Sequence, residues 1–183
     1  MLEVNVPARE YWDAQKEEFF KTKETTLRLE HSLISLTKWE QKYKKPYLSQ
    51  GPQTTEESMY YIQCMSLDKN IDPYVIAEIQ FHPEILKTIE EYIRDPMTAT
   101  TINSNTKENH TKSKEILTSE LIYYYMTALN IPFECEKWHL NKLITLIEVA
   151  NVKNNPKKMS KNEVMKQNTA LNKARRAKYH SKG

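Results

Sequence analysis

The sequence predicts an α+β protein that is mainly α, with a small N-terminal antiparallel β-sheet, then a helical bundle and a basic C-terminal helix. Three observations predict this fold class. Apolar and polar residues alternate over the first thirty residues, apolar residues then recur at helical spacing, and basic residues are concentrated in the last thirty. We therefore divide the chain into a globular domain, residues 1–152, with its sheet in 1–30 and its helices in 31–152, and a tail, residues 153–183.

The N-terminal residues have the period of half-buried strands. In LEVNV, Leu2, Val4 and Val6 alternate with polar residues, and TTLRLEH alternates again at Leu27 and Leu29. Between them, EYWDAQKEEFF is typical of two short aromatic strands around a polar turn. We expect these segments to form an antiparallel sheet of about three strands.

Capping residues mark the start of the first helices. Ser32 is a suitable N-cap for LISLTKWEQKYKK, which should end at Pro46 and be followed by a loop, SQGPQ. Thr54 and Glu57 have the spacing of a capping box, in which each side chain bonds the other residue's backbone N–H, ahead of SMYYIQCMSL. Both signals predict a helix that begins one residue after its cap.

Proline at the first helical position predicts the next two helices. Pro73 begins PYVIAEI and Pro83 begins PEILKTIEEYIRD. A polar segment rich in Thr, Asn, Ser and Lys follows, and we predict a loop at about residues 103–113.

Two apolar helices complete the predicted bundle. EILTSELIYYYMTALN should end at Asn130-Ile131-Pro132, and ECEKWHLNKLITLIEVANV has the strongest apolar face of the chain. We expect the two to pair as an antiparallel hairpin, with Pro156 ending the globular domain. About six helices are predicted in all, counting the one in the tail.

Composition excludes several kinds of reaction chemistry. Glycine occurs only at Gly51 and Gly183, whereas a phosphate-binding loop needs several glycines close together. Cys135 and His139 are four residues apart, but a structural zinc site needs four ligands, and a thiol on an apolar helix is usually inert. Adjacent glutamates, as at Glu90-Glu91, do not face each other on a helix. We therefore expect no enzyme, no catalytic residue, no cofactor and no metal.

Three consecutive tyrosines are candidate partner-binding residues. Because successive residues on a helix are about 100° apart, Tyr123, Tyr124 and Tyr125 cannot all face the core, and at least one ring should be exposed. Tyrosine is enriched at protein interfaces, which favours a subunit or partner contact. The alternative is a helix buried on two sides inside the bundle.

The charge of the chain is divided unevenly. Residues 153–183 hold ten basic side chains and one acidic one, a net charge of +9, whereas the other 152 residues hold 17 basic and 23 acidic ones, a net of −6. Ser160 and Glu163 form a second capping box, which predicts a helix in this tail. Its candidate partner-binding residues are Lys157, Lys158, Lys161, Lys166, Lys173, Arg175, Arg176 and Lys178.

Two kinds of partner suit a basic helix of this kind, a protein and a nucleic acid. A thin apolar stripe flanked by Lys, Asn and Gln favours a protein contact, in an acidic groove of a partner or of the chain's own globular domain. Nucleic acid is less favoured, because no aromatic residue precedes Tyr179 in the tail to stack on bases. The stripe is too thin for membrane binding, and a solvated helix that maintains solubility is the remaining alternative.

The N-terminus and the cysteines predict a location. MLEVNVPARE has no basic start followed by a long apolar run, and no stretch of the chain reaches the ~20 apolar residues that span a bilayer. Two cysteines, Cys64 and Cys135, do not suggest a disulfide framework. We expect a soluble protein of the cytoplasm with reduced thiols.

Several stretches together resemble a family of small proteins of tailed bacteriophages, the tail assembly chaperones. The resemblance spans about residues 2 to 180 and rests on the sequence pattern of these stretches, not on a catalytic signature. Its main segments are PAREYWD, TTLRLEHSLISLTKWE, DPMTATT, LTSELIYYYMTALNIPFECEKWHLNKLITLI and KKMSKNEVMKQNTALNKARRAK.

This resemblance implies a function without catalysis in the cytoplasm of an infected bacterium. A tail assembly chaperone is encoded just ahead of the tape measure protein and coats that long helical client while the tail tube polymerises around it. The implied partners are the tape measure protein, other phage tail proteins and further copies of the chain. A nucleic-acid-binding or regulatory protein acting through the tail is the second hypothesis, and a head-tail joining component of the virion is the third.

Overall fold

The computed structural model describes residues 1–100, 116–154, 165–166, 168–173 and 176. The chain divides into two compact units, residues 1–150 and residues 151–183. In the first unit four strands precede the helices, which confirms the predicted fold class. In the second unit, the described residues of the basic tail are helical. The predicted loop at 103–113, Pro156, and the capping box of Ser160 and Glu163 lie outside the described residues.

The first unit begins with four antiparallel strands, β1 (Leu2–Val6), β2 (Glu10–Asp13), β3 (Glu18–Lys21) and β4 (Thr25–Leu29). They form two separate sheets of two strands, β1 with β4 and β2 with β3, and not the single sheet of about three strands that we expected. The β1–β4 pair runs from Leu2 opposite Leu29 to Val6 opposite Thr25, so the β2–β3 hairpin is an excursion between its two strands.

The hairpin forms its own sheet because its aromatic residues pack on a helix. Tyr11 and Phe20 are cross-strand neighbours, and both rings lie about 5 Å from the ring of Tyr74. Aromatic contacts at this separation are favourable beyond the area that they bury. They hold the hairpin against the helical layer instead of beside β1.

The helices of the first unit follow in chain order, and the last extends beyond residue 150. Their bounds are α1 (Leu33–Tyr43), α2 (Tyr47–Gln50), α3 (Thr55–Met65), α4 (Pro73–Ile79), α5 (Pro83–Arg94), α6 (Ser119–Ala128) and α7 (Leu140–Asn154), with a 3₁₀ turn at Phe133–Lys137 between α6 and α7.

Most of the predicted helix starts are confirmed. Ser32 caps α1 in a capping box completed by Ser35, while Pro73 and Pro83 are the first residues of their helices. The second predicted box is only half correct. Thr54 accepts the backbone N–H of Glu57 at 3.2 Å, but the Glu57 carboxylate accepts from Gln53 N and Lys45 Nζ instead of returning to Thr54.

Two predicted segments are wrong. The expected loop SQGPQ begins inside α2, because Pro46 acts as the N-cap of a new short helix while α1 has already ended at the left-handed Lys44. The expected helix from residue 134 to 152 is broken at Trp138, whose backbone is extended. The break occurs because residue 139 forms a bridge with Ser32, and Leu140 N donates to His31 O at 2.7 Å.

Helix α1 lies between two apolar clusters. Trp39 belongs to a cluster built on β1 and β4 with α3, α4 and α5. Leu33 and Leu36 belong to a second cluster that includes Ile122 of α6 and Leu140 of α7. α6 and α7 share this core with α1, and α6 packs more closely on α1 than on α7, so the predicted antiparallel hairpin of the last two helices is wrong.

No helix in the described part of the chain is long and apolar enough to cross a membrane.

Candidate functional site

The tyrosine run lies on α6, and a buried carboxylate of α1 holds the start of that helix. Thr118 is the N-cap, with its side chain accepting from Leu121 N at 3.4 Å. The N–H of Ser119, the first helical residue, donates to Oε2 of Glu40 at 2.8 Å. An anionic side chain at a helix N-terminus satisfies free N–H groups and interacts favourably with the helix dipole. The position of α6 on the first unit is therefore fixed from its first residue.

Tyr123 connects α6 to the 3₁₀ turn. Its hydroxyl donates to Oε2 of Glu136 at 2.8 Å, and its ring centroid lies 6.2 Å from that of Phe133. Burial and the bond to Glu136 raise the pKa of Tyr123 to about 12. Tyr123 is half-buried, so its main contribution is to hold the turn against the helix.

Tyr124 confirms the expectation that at least one ring of the run is exposed. It is 64% exposed, and its ring centroid lies 5.7 Å from that of the half-buried Tyr125. The buried face of the helix is formed by Ser119, Ile122 and Met126. Tyr124 and Tyr125 therefore present aromatic surface to the outside of the first unit.

Charged residues are absent from the middle of α6 to the start of the 3₁₀ turn, although Glu120 lies one helical turn before Tyr124 and Glu134 follows Phe133. Residues 121–133 are thirteen consecutive uncharged residues in a protein in which 28% of residues are charged. They end at Phe133, which is 56% exposed. Phe133 was not predicted from the sequence, although the length of the uncharged stretch that ends there indicates an unusual surface. We call Tyr123, Tyr124, Tyr125 and Phe133 the α6 aromatic surface.

Half-exposed aliphatic residues extend the apolar character of this region. They pack against the second cluster, which also contains Ile122 and Met126 of α6, but none is fully buried. Their presence means that the second cluster is incompletely covered within the first unit. These residues are Leu117, Leu129, Ile144, Leu146, Ile147 and Ala150.

The tail residues are described only in part. Lys166, Lys173 and Arg176 are exposed and helical. The other basic residues selected from the sequence lie outside the described residues, namely Lys157, Lys158, Lys161, Arg175 and Lys178. Together with the exposed Lys153 in the last turn of α7, the described residues of the tail therefore offer four exposed cations to a partner.

Cys135 and His139 are not on one face of one helix, because the chain is extended between them. Cys135 is buried in the 3₁₀ turn, and both ring nitrogens of His139 have backbone partners, Tyr92 O at 3.0 Å and Asn141 N at 3.3 Å. Within the described ranges, no group of three or more His, Cys, Asp or Glu residues could hold a metal ion.

Searches of protein-family models, curated proteins and solved structures give no match for this chain.

Proposed function

We propose that this protein is a non-enzymatic tail assembly chaperone of a tailed bacteriophage, and that its α6 aromatic surface holds the tape measure protein during tail assembly. The single observation that carries the proposal is the exposed aromatic surface at Tyr124 and Phe133. Exposed aromatic residues beside half-buried apolar ones are typical of protein interaction sites. The resemblance of the sequence to tail assembly chaperones supplies the identity of the client.

The chemistry of this surface suits a long helical client. Apolar faces of helices dock on aromatic and aliphatic surface, and specificity for a particular charge pattern is not needed when one chaperone must coat many turns. Tyrosine and phenylalanine provide large contact area at little cost in conformational entropy. Many copies bound along one client would each contribute a weak contact.

Loss of the two exposed rings should release the client. We expect Y124S/F133S to weaken client binding by roughly thirtyfold or more, since two exposed aromatic residues at the centre of an interface contribute on the order of 2 kcal/mol or more. The measurement is a pull-down after co-expression with the tape measure protein encoded beside this chain, followed by titration with the purified client. The fraction of client in the soluble supernatant is the second readout.

The matched control is L67S, which removes an apolar side chain that is 51% exposed but lies outside the α6 aromatic surface. L67S should retain the client as the unmodified chain does. Equal retention by Y124S/F133S and by L67S would contradict the proposed site. No retention by the unmodified chain would contradict the proposed function.

Nucleic-acid binding through the tail is the second candidate function. It is favoured by the net charge of +9 in residues 153–183 and by the exposed Lys166, Lys173 and Arg176. Phosphate contacts release counterions, so such binding must weaken steeply as salt rises.

Removal of residues 155–183 separates the two candidate functions. For the chaperone we expect the truncated chain to retain the client through α6 and to show no change in its small affinity for a mixed-sequence DNA duplex. For the second candidate, the full chain binds the duplex with an affinity that falls tenfold or more between low and physiological salt, roughly as expected for several phosphate contacts, and truncation abolishes it. Fluorescence anisotropy with a labelled duplex measures both.

A further inference from the structure

The β2–β3 hairpin is fixed to the helical layer by one of its two faces. Tyr11 and Phe20 are stacked with centroids 5.7 Å apart, and both contact Tyr74 of α4. The Tyr11 hydroxyl donates to Oε2 of the buried Glu78 at 2.5 Å, and Arg9 donates to Oε1 of the same carboxylate at 3.3 Å. These contacts hold a hairpin that would be marginally stable alone.

The opposite face of the hairpin carries an exposed aromatic pair. Trp12 and Phe19 are cross-strand neighbours with centroids 4.9 Å apart in an edge-to-face arrangement. Trp12 is 53% exposed and Phe19 is 66% exposed. Because side chains alternate along a strand, the pair Glu10 and Lys21 lies on this same face, one position along. The face therefore has an aromatic centre with one acid and one base beside it.

A partner of this hairpin is expected to pack on its exposed face and not to pair with its edge strands. Among the described residues no third strand pairs with β2 or with β3. The strands are only four residues long, and charged residues stand at both ends of each, at Glu10, Asp13, Glu18 and Lys21. Short edge strands with charged side chains are how proteins discourage further strand pairing. The exposed aromatic pair has no such protection.

We propose that a second copy of this chain covers the Trp12–Phe19 face, in a two-fold symmetric contact between hairpins. The cross-strand register makes the face complementary to itself. The two-fold axis lies between the two hairpins, parallel to their strands. It places β3 of one copy opposite β2 of the other, so each residue faces the residue that is its own cross-strand neighbour in the register. Glu10 meets Lys21 of the partner subunit, and Trp12 meets Phe19 of the partner subunit.

Charge and area both bear on how strong this contact is. Glu10 and Lys21 bring the charge of the face to zero, so two copies do not repel each other there. The aromatic residues can bury at most about 200 Å² each, well under the ~800 Å² per partner of a standard stable interface. The dimer is therefore weak and forms only as the concentration rises. It uses no residue of the α6 aromatic surface, and its existence does not depend on the proposed client.

Sedimentation velocity of the full chain over a concentration series tests the contact. We expect a reversible monomer–dimer equilibrium, and we expect W12S/F19S to raise the dimer dissociation constant roughly tenfold or more, as removal of central aromatic residues does. Y124S should leave the equilibrium unchanged. Thermal unfolding of each variant confirms that the fold is retained. A chain that remains monomeric at submillimolar concentration, or a dimer that survives W12S/F19S, overturns the proposal.

Charge reversal distinguishes a second copy from any other partner. E10K and K21E each place like charges opposite one another twice in the dimer, so each should weaken it about fivefold. The double variant E10K/K21E restores opposite charges and should restore the affinity. An equimolar mixture of E10K and K21E should associate more strongly than either alone. Absence of this rescue and of mixed association would overturn the two-fold arrangement.

Discussion

Replacement of Glu40 by glutamine is expected to lower the free energy of unfolding by about 3 kcal/mol, because one buried carboxylate caps two helices. Oε1 accepts the N–H of Tyr47, the first residue of α2, at 2.9 Å. Oε2 accepts the N–H of Ser119, the first residue of α6, at 2.8 Å. Glu40 is only 8% exposed, so solvent cannot replace these bonds.

The isosteric amide leaves the volume of the site unchanged but removes one acceptor. The amide nitrogen of glutamine is a donor, and it would face one of the two backbone N–H groups. A buried donor without a partner costs its full desolvation energy. The favourable interaction of the negative charge with both helix N-termini is lost as well. The start of α6, and with it the α6 aromatic surface, should become more mobile.

Guanidinium chloride unfolding of E40Q measures this change, and hydrogen exchange at the amide of Ser119 locates it. The matched control is E90Q. It removes the charge of Glu90, an exposed residue of α5 that is paired with Arg94 of the same helix. Exposed pairs of this kind contribute ~0.5 kcal/mol or less. If E40Q and E90Q unfold at the same denaturant concentration, Glu40 does not support the two helices.

The role of Glu40 is an example of a long-range contact that could not be predicted from the sequence. Glu40 lies on a helix that periodicity and Ser32 predicted correctly. Its partner Ser119 is 79 residues away, and no local pattern indicates a contact over that distance. In the same way the strands β2 and β3 were predicted from their composition, whereas their separate sheet depends on Tyr74 of a distant helix.

The candidate site was predicted in outline from three adjacent tyrosines. Helical geometry required one exposed ring, and Tyr124 supplies it. Phe133 was missed because the predicted helix at 134–152 concealed the 3₁₀ turn that presents it. That turn exists because His139 is bridged to Ser32, a tertiary contact that outweighs the helical preference of the segment. Periodicity reports which residues avoid water, but not where a distant strand end interrupts a helix.

Two buried histidines beside that bridge also predict a loss of stability at acidic pH. His31 and His139 are buried, with ring centroids 5.1 Å apart. His31 Nδ1 lies 2.5 Å from the hydroxyl of the fully buried Tyr61. Burial and the neighbouring His139 lower the pKa of His31 to about 3, and burial lowers the pKa of His139 as well. Geometry agrees for His139, since Nε2–H donates to Tyr92 O while Nδ1 accepts from Asn141 N, which leaves no site for a second proton.

The sign of the effect follows from the lowered pKa. The unfolded chain takes up a proton on each imidazole near pH 6.5, whereas the folded chain does not. The stabilising contribution of His31 is therefore complete above pH 6.5 and is lost as the pH falls towards 3. At about 1.4 kcal/mol per pH unit, His31 alone should account for about 2 kcal/mol between pH 7.5 and 5, and for about 5 kcal/mol in full.

Comparison of the free energy of unfolding at pH 7.5 and pH 5 isolates the histidines from the carboxylates. The pKa of Asp68 is lowered by its bond to Arg28, so the stabilising contribution of that group is lost only at more acidic pH. We expect H31Q to be less stable than the unmodified chain at pH 7.5, because a flexible amide replaces a packed ring. Between the two pH values, the free energy of unfolding of H31Q should change by about 2 kcal/mol less than that of the unmodified chain. An unmodified chain with equal stability at both would mean that these imidazoles are reached by solvent. The bridge at residues 32 and 139, which interrupts the predicted helix and exposes Phe133, would then be too open to fix the α6 aromatic surface.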